Sequence, residues 1–253
     1  MKMTVYTQNQ EILAGTTMKD SEQLENNNMA LHACESTDHV IRNRKRLASF
    51  LQYSLADFVF ANQTHSANFH CVTVNDRGKG ADKQETAIAD TDALYTFEPN
   101  IVLCSLTADC VPVLFYSDDC PLVGVIHSGW QGTAKEITLK LFRHLQQVEH
   151  CDLRQVHVQI GVALSQEKFE VDEDVYKKFY DLGYADEWME YNQTTNKYHI
   201  DNQLTVKKQC ELAGIPSSNI TIDRTCTFQS ADGFSYREDK KAGRHLSFIR
   251  RTT

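Results

Sequence analysis

Three short apolar runs in the middle of the chain predict buried β-strands. They occupy residues 101–106, 111–116 and 122–127, and polar or turn-forming residues bound each of them. Weaker runs of the same kind predict further strands at residues 58–61, 156–162 and 220–222. The core of the protein is therefore expected to contain β-sheet.

Apolar positions three or four residues apart predict helices between and after these strands. Thr37 or Asp38 is expected to cap a helix that runs to residue 51, and other helices are expected at residues 173–182 and 203–213. A central helix is expected to start at Thr133, because Thr133 and Glu136 form a T-x-x-E capping box. Several strands precede this helix without interruption, and no linker divides the chain. The order predicts an α+β fold with mixed sheets and outer helices, in a single domain over residues 1–253.

The charge of the chain restricts its partners. The 253 residues carry 34 acidic and 26 basic side chains, which gives a formal net charge of -8. This balance argues against broad binding to nucleic acids or to anionic membranes. No segment approaches about 18 consecutive apolar residues, and the first 15 residues lack the apolar core of a signal peptide. We therefore expect a cytoplasmic protein without a transmembrane helix.

The eight cysteines are scattered along the chain and include no C-x-x-C pair. Disulfide frameworks are typical of short secreted chains, so reduced thiols are expected here. Cys110 differs from the others because it lies in a short turn between two predicted strands.

Three metal-capable residues, His65, Cys110 and His127, each lie near the end of a predicted strand. Three ligands from separate elements leave a fourth position open, as a catalytic metal requires. Two imidazoles and a thiolate suit zinc and also copper. Two alternatives remain: Cys110 is an ordinary buried thiol, or it is a nucleophile with His127 as its base.

Other residues are candidates for catalysis or ligand binding. Asp109 precedes the cysteine and is a candidate base or orienting carboxylate. Residues 127–133 contain two glycines before the predicted helix, and free N–H groups there would suit an anion such as phosphate. Arg237 and Arg244 lie near aromatic residues and are candidate ligands for an anion or a base.

Several segments together resemble one known family. Residues 62–65 read N-Q-T-H, residues 107–112 read T-A-D-C-V-P, and residues 127–133 read H-S-G-W-Q-G-T. Residues 28–32, 40–44, 226–228, 234–237 and 243–244 supply the further segments N-M-A-L-H, V-I-R-N-R, C-T-F, F-S-Y-R and G-R. Taken together in their order along the chain, these segments resemble the YfiH-like, laccase-domain family over nearly the whole sequence.

The resemblance implies a layered α/β sandwich that binds one zinc ion through His65, Cys110 and His127. It implies a purine nucleoside phosphorylase that acts on adenosine, inosine and methylthioadenosine and also deaminates adenosine. The partners would be a small nucleoside and phosphate, and the sequence assigns no oligomeric state. Catalytic roles are then expected for the three ligands and for Asp109.

Substrate contacts are expected from Asn43, Arg44, Arg237, Arg244 and Gln131. At residue 131 the family has arginine, so this chain departs from the pattern there. Alternative functions are a cysteine hydrolase or amidase that uses Cys110 and His127, a copper-dependent polyphenol oxidase, and a metal-binding module without activity. The metal content with and without Cys110→Ala would separate the zinc hypotheses from the free-thiol hypothesis.

Overall fold

A computed structural model describes residues 1–252 of the chain. Its strands are, in order, β1 Met3–Gln8, β2 Ile12–Thr17, β3 Phe58–Phe60, β4 Phe69–Cys71, β5 Ala93–Thr96, β6 Val102–Thr107, β7 Val111–Ser117, β8 Val123–Ser128, β9 Val156–Ile160, β10 Glu170–Val171, β11 Met189–Asn192, β12 Lys197–Ile200, β13 Ile220–Ile222 and β14 His245–Arg251. Its α-helices are α1 Thr37–Leu51, α2 Trp130–Ala134, α3 Ile137–Gln147, α4 Glu173–Tyr180 and α5 Asn202–Ala213.

The strands form three sheets. The first has the order β1-β2-β14-β6-β3, the second β13-β9-β7-β8-β5-β4, and the small third β10-β12-β11. The two large sheets are mixed, because β3 pairs in parallel with β6, β4 with β5, and β13 with β9, while their other pairs are antiparallel.

The two large sheets pack face to face, with helices on their outer faces. Side chains of the first sheet, such as Leu103 and Ile249, share one apolar cluster with Leu114 and Val125 of the second. Helix α1 covers the outer face of the first sheet, and α3 and α5 cover that of the second. This arrangement confirms the predicted α+β fold, a layered sandwich with mixed sheets in one domain.

Two helix starts differ from the prediction. Helix α1 has Ser36 as its N-cap residue, without a side-chain capping hydrogen bond. Thr133 lies inside the short helix α2, where its hydroxyl donates to the carbonyl of Gly129 at 3.2 Å, so it does not cap the central helix. Glu136, with a φ of 61°, separates α2 from α3. The T-x-x-E spacing therefore marks a break between two helices rather than one start.

Two general features complete the description. None of the helices formed by residues 1–252 has the length and apolar character needed to cross a membrane. All eight cysteines carry free thiols.

Candidate metal centre

The three predicted ligands meet at the edge where the chain passes from the first sheet to the second. His65 lies in the connection from β3 to β4, and Cys110 lies in the turn from β6 to β7. Because β3 and β6 are parallel, their C-terminal ends reach the same edge. His127 is on β8, opposite Pro112 at the start of β7. The potential ligand atoms of the three residues, here called the donor trio, all lie within 4.8 Å of one another.

The spacing within the donor trio suits a metal ion. His65 Nε2 is 3.8 Å from Cys110 Sγ, and the rings of His65 and His127 lie edge to face with centroids 4.8 Å apart. Tetrahedral zinc, with bonds of about 2.1 Å to nitrogen and 2.3 Å to sulfur, places such ligand atoms about 3.6 Å apart. A small inward movement of the side chains would therefore complete the coordination geometry.

Gly129 keeps the space beside the donor trio open. A Cβ atom at this residue would lie 2.5 Å from Cδ2 of His65 and 3.1 Å from Sγ of Cys110. Contacts below about 3.0 Å are not tolerated, so a side chain here would push the imidazole away from the thiol. The sequence expectation that glycine permits a close backbone approach is met at Gly129. It is not met at Gly132, where a Cβ atom would have ordinary contacts of 3.4 Å or more.

Asp92 orients the donor trio, and sequence reasoning did not identify it. Its buried carboxylate lies 2.7 Å from Nδ1 of His127, which leaves Nε2 of that ring available to a metal. The same carboxylate accepts the backbone N–H of His65 at 3.1 Å and that of Ser66 at 2.7 Å. One side chain therefore positions two of the three ligands. No spacing motif links Asp92 to His127, because the two meet through the pairing of β5 with β8.

Two residues of the site, His65 and Asp109, have left-handed backbone conformations. His65 has a φ of 59° and Asp109 a φ of 82°, which is costly for residues other than glycine. Hydrogen bonds hold the first of these turns, since Lys135 Nζ donates to the carbonyl of His65 at 2.7 Å. These turns direct the β3–β4 loop, which carries His65, and the β6–β7 turn, which carries Cys110, toward each other.

The electrostatics of the donor trio favour a thiolate. Burial opposes ionisation of Cys110, but the charge of His127 and hydrogen bonds from both histidines lower the pKa of its thiol. Burial likewise opposes protonation of His127, and the nearby thiolate together with Asp92 raises its pKa. Burial would raise the pKa of Asp92, yet its hydrogen bond to His127 and further bonds lower that pKa to about 2. In the metal-free protein the thiolate is therefore paired with a protonated imidazole, and a bound cation would take the place of that proton.

Asp109 is held beside the donor trio rather than within it. One carboxylate oxygen accepts the hydroxyl of Thr227 at 2.7 Å, and the other accepts the backbone N–H of Arg237 at 2.7 Å. These bonds tie the β6–β7 turn to the segment that precedes β14. The carboxylate lines a cavity next to Cys110, where its remaining lone pairs can contact a ligand.

Two cavities border the donor trio and share four residues in their walls, His65, Ala108, Cys110 and Tyr236. The aromatic cavity has a volume of about 400 Å³, and its other walls include Trp130, Phe169, Asp109, Asn202 and Arg237. The polar cavity has a volume of about 570 Å³, and its walls include His127, His32, Gln63, Thr107 and Arg244. Both volumes are in the range of small-molecule sites.

The structure brings some of the predicted substrate contacts to these cavities. Arg237 lines the aromatic cavity, and its side chain also donates to the carbonyl of Glu170 at 3.0 Å. Arg244 lines the polar cavity, with its guanidinium 5.6 Å from the ring centre of Tyr236. Gln131 is exposed and lines neither cavity.

Asn43 and Arg44 lie in the core instead. Asn43 Nδ2 donates to the carbonyl of Leu24 at 2.8 Å. Arg44 is fully buried, and its guanidinium donates to the carbonyls of residues 29, 80 and 81. Burial lowers the pKa of Arg44 to about 10. The structure does not bring either side chain to a cavity, because both hold backbone segments around α1.

Comparisons with known proteins agree with the geometry. A family model described as multi-copper polyphenol oxidoreductase laccase matches residues 15–252. The purine nucleoside phosphorylase YlmD of Bacillus subtilis (strain 168) is 34% identical over 248 residues, which cover 95% of this chain and 89% of that protein. The crystal structure of YlmD from Geobacillus stearothermophilus has a TM-score of 0.90 at 32% identity and covers 96% of this chain and 92% of its own. That of the hypothetical protein YfiH from Bacillus licheniformis has a TM-score of 0.90 at 34% identity, with 94% and 92% covered.

Proposed function

We propose that this chain, which belongs to the multi-copper polyphenol oxidoreductase laccase family, is a purine nucleoside phosphorylase with a zinc ion at the donor trio. The observation that carries the proposal is that His65, Cys110 and His127 converge where two cavities with largely different lining residues meet. A phosphorolysis needs two substrates at one centre, and two cavities supply separate places for them. The similarity to the YlmD phosphorylases supports the same activity.

Zinc fits the donor trio by its chemistry. Two imidazoles and one thiolate form a three-ligand set of the kind that leaves a position for substrate. Asp92 fixes the orientation of His127, and Gly129 leaves room beside Cys110. When bound, zinc supplies a Lewis acid that stabilises negative charge.

The aromatic cavity is the proposed site of the nucleoside. Its walls of Trp130, Phe169 and Tyr236 offer apolar surface to a purine ring. Asp109 is held by two hydrogen bonds and presents its carboxylate to a hydroxyl of the ribose or acts as a base. Arg237 supplies a cation at the same wall.

The polar cavity is the proposed site of phosphate. Arg244 offers a guanidinium to it, and His32 lies in the same wall. In the reaction a phosphate oxygen bonds to C1′ of the ribose while the bond from C1′ to N9 of the base breaks. The products are the free base, which gains a proton, and ribose 1-phosphate, or 5-methylthioribose 1-phosphate when methylthioadenosine is the substrate. Adenosine, inosine and methylthioadenosine are the proposed nucleosides.

Adenosine deamination is the proposed second activity of the same centre. Water adds at C6 of the base, ammonia leaves, and adenosine becomes inosine. This reaction consumes no phosphate, so the two activities can be distinguished in one assay.

The test uses purified, zinc-loaded protein with each nucleoside, in the presence and absence of phosphate. Phosphate-dependent release of base with ribose 1-phosphate is expected, and inosine formed without phosphate would report deamination. Cys110→Ala should lose bound zinc and both activities together. Full zinc occupancy without release of base from any of these nucleosides would contradict the proposed function.

Two arginine variants test the assignment of the cavities. Arg244→Gln should raise the KM for phosphate by about tenfold, since a charge-assisted hydrogen bond is removed. Arg237→Gln is the matched control in the other cavity and should raise the KM for the nucleoside instead. Equal effects of Arg244→Gln on both KM values would contradict the assignment.

A cysteine hydrolase or amidase is the second candidate. The observation that favours it is the order Cys110, His127, Asp92, which matches a nucleophile, a base and an orienting carboxylate. His65 Nε2 at 3.8 Å from Sγ favours a metal instead, because a nucleophile needs no second imidazole. Stoichiometric zinc that protects Cys110 from alkylation would eliminate the hydrolase.

Copper-dependent polyphenol oxidation and metal binding without catalysis are further alternatives. The description of the matching family motivates the first of these. Residues 1–252 provide one cluster of three metal-capable side chains, which suits one ion rather than several. Oxidation of a phenol at a rate that follows copper occupancy would favour the oxidase. Tight metal binding without turnover of any nucleoside or phenol would favour the binding module.

A further inference from the structure

The wall of the aromatic cavity contains a buried amide whose carbonyl oxygen lacks a partner. Asn202 is the first residue of α5, lines this cavity and is 6% exposed. Its Nδ2 donates to the backbone carbonyl of Ser128 at 3.3 Å. Its Oδ1 is buried and has no hydrogen-bond partner among residues 1–252.

The bond to Ser128 decides which amide atom is free. A backbone carbonyl only accepts, so the amide nitrogen of Asn202 must face it. The atom left without a partner is therefore an acceptor. A buried acceptor without a donor is costly, and a ligand N–H group that reaches it from the cavity, after a small shift of the Asn202 side chain, would remove that cost.

The other polar groups of the cavity add acceptors more than donors. The carboxylates of Glu170 and Asp172 line it together with Asp109. Arg237 contributes the guanidinium, which already donates to the carbonyl of Glu170. The cavity therefore favours a flat ring whose edge carries N–H donors.

We propose that Asn202 is a specificity-determining residue that recognises the six-position edge of a purine. Its Oδ1 accepts the exocyclic N6–H of adenosine, or the ring N1–H of a 6-oxopurine such as inosine. This inference rests on the proposed function, because it takes the aromatic cavity as the nucleoside site. A purine riboside with hydrogen at C6 offers neither donor and leaves the acceptor unpaired.

Calorimetric binding to the metal-free protein without phosphate tests the proposal, with adenosine, inosine and purine riboside as probes. The metal is left out because the proposed deamination would otherwise convert adenosine, and hydrate purine riboside at C6, during the measurement. Purine riboside is expected to bind about tenfold more weakly than adenosine, the effect of one hydrogen bond to a buried acceptor. Asn202→Leu should weaken adenosine binding and leave purine riboside unchanged, so that the two dissociation constants become equal.

Gln209 is the matched control on the same helix. It is buried, its Nε2 donates to the carbonyl of Thr133 at 2.8 Å, and its Oε1 also lacks a partner. It does not line the aromatic cavity. Gln209→Met should therefore change the thermal stability and leave the ratio of the two dissociation constants as it is in the parent protein.

Each outcome decides the proposal. Equal affinity of the parent protein for adenosine and purine riboside overturns it, even if Asn202→Leu fails to fold. Absence of adenosine binding, or loss of the discrimination in Gln209→Met as well, also overturns it. Discrimination through Asn202 without any phosphorolysis would support the proposal while contradicting the proposed function. Phosphorolysis without discrimination between adenosine and purine riboside would overturn the role of Asn202 and leave the proposed function intact.

Discussion

Replacing Asp92 by asparagine should weaken metal binding and destabilise the fold, although it changes one atom. The carboxylate contacts Nδ1 of His127 at 2.7 Å and accepts the backbone N–H groups of His65 and Ser66 at 3.1 and 2.7 Å. Its two oxygens divide these bonds, the first serving both histidines and the second serving Thr64 and Ser66. An amide has one oxygen, so one of these two sets must face an NH₂ group.

The magnitude follows from that conflict. If the amide oxygen stays with the histidines, the amide nitrogen meets the N–H and hydroxyl of Ser66, and a half-buried donor loses its acceptor. A buried unpaired donor costs about 1–3 kcal/mol, so with the lost charge at this half-buried position unfolding should become easier by about 2 kcal/mol. Removal of a carboxylate behind a ligating histidine reduces metal affinity by about 10–100-fold.

Two measurements check this prediction on the same preparation. Competition with a zinc chelator gives the affinity of the folded protein, and urea unfolding of the metal-free protein gives the stability. Asp90→Asn is the control, because Asp90 is an exposed acid nearby that accepts the hydroxyl of Thr64 and does not contact His127. Zinc affinity of Asp92→Asn equal to that of Asp90→Asn would refute the reasoning.

Three further predictions test other parts of the structure. Gly129→Ala should reduce zinc occupancy at least about tenfold, because its Cβ would lie 2.5 Å from the ring of His65, whereas Gly132→Ala should retain zinc; equal metal content would contradict this. Burial lowers the pKa of His245 to about 4 in the folded protein, below its value of about 6.5 in the unfolded chain. The folded state therefore has its full stability above about pH 6.5 and loses stability as the pH falls toward 4. Between about pH 7.5 and about pH 5, urea titrations should show that the parent protein loses about 2 kcal/mol more unfolding free energy than His245→Gln, because about 1.5 pH units lie below the unfolded pKa at about 1.36 kcal/mol each. An identical loss in both proteins would contradict this explanation. Arg44→Lys should lower the unfolding free energy by about 3 kcal/mol through lost hydrogen bonds in the core and leave both KM values unchanged; a raised KM in folded protein would instead support a substrate contact.

Local patterns located much of the fold. The six predicted strands are present as β3, β6, β7, β8, β9 and β13, with ends that differ by one or two residues. Gly214 ends α5 in the left-handed conformation, which glycine adopts without strain. Such features depend on neighbours in sequence, which is why periodicity and capping residues reveal them.

Strands β1, β2 and β14 were not predicted from the sequence. Strand β14 lies in the middle of the first sheet, where it pairs with β2 on one side and β6 on the other and so joins segments from opposite ends of the chain. The two arginines that end β14 and the polar residues of β1 weaken the alternating pattern. Their strand conformation is stabilised by pairing partners far away in sequence, so no local signal identifies them.

The sequence by itself determined the donor trio, since His65, Cys110 and His127 stand at strand ends in a recognisable order. Tertiary structure alone decided that Asp92 orients them, that Gly129 must lack a side chain, and that Asn202 lines the cavity. It also decided that Arg44 belongs to the core although its motif suggested a substrate contact. The physical reason is that ligand chemistry belongs to residue types, whereas distance, burial and hydrogen-bond partners arise when separate sheets and helices pack together.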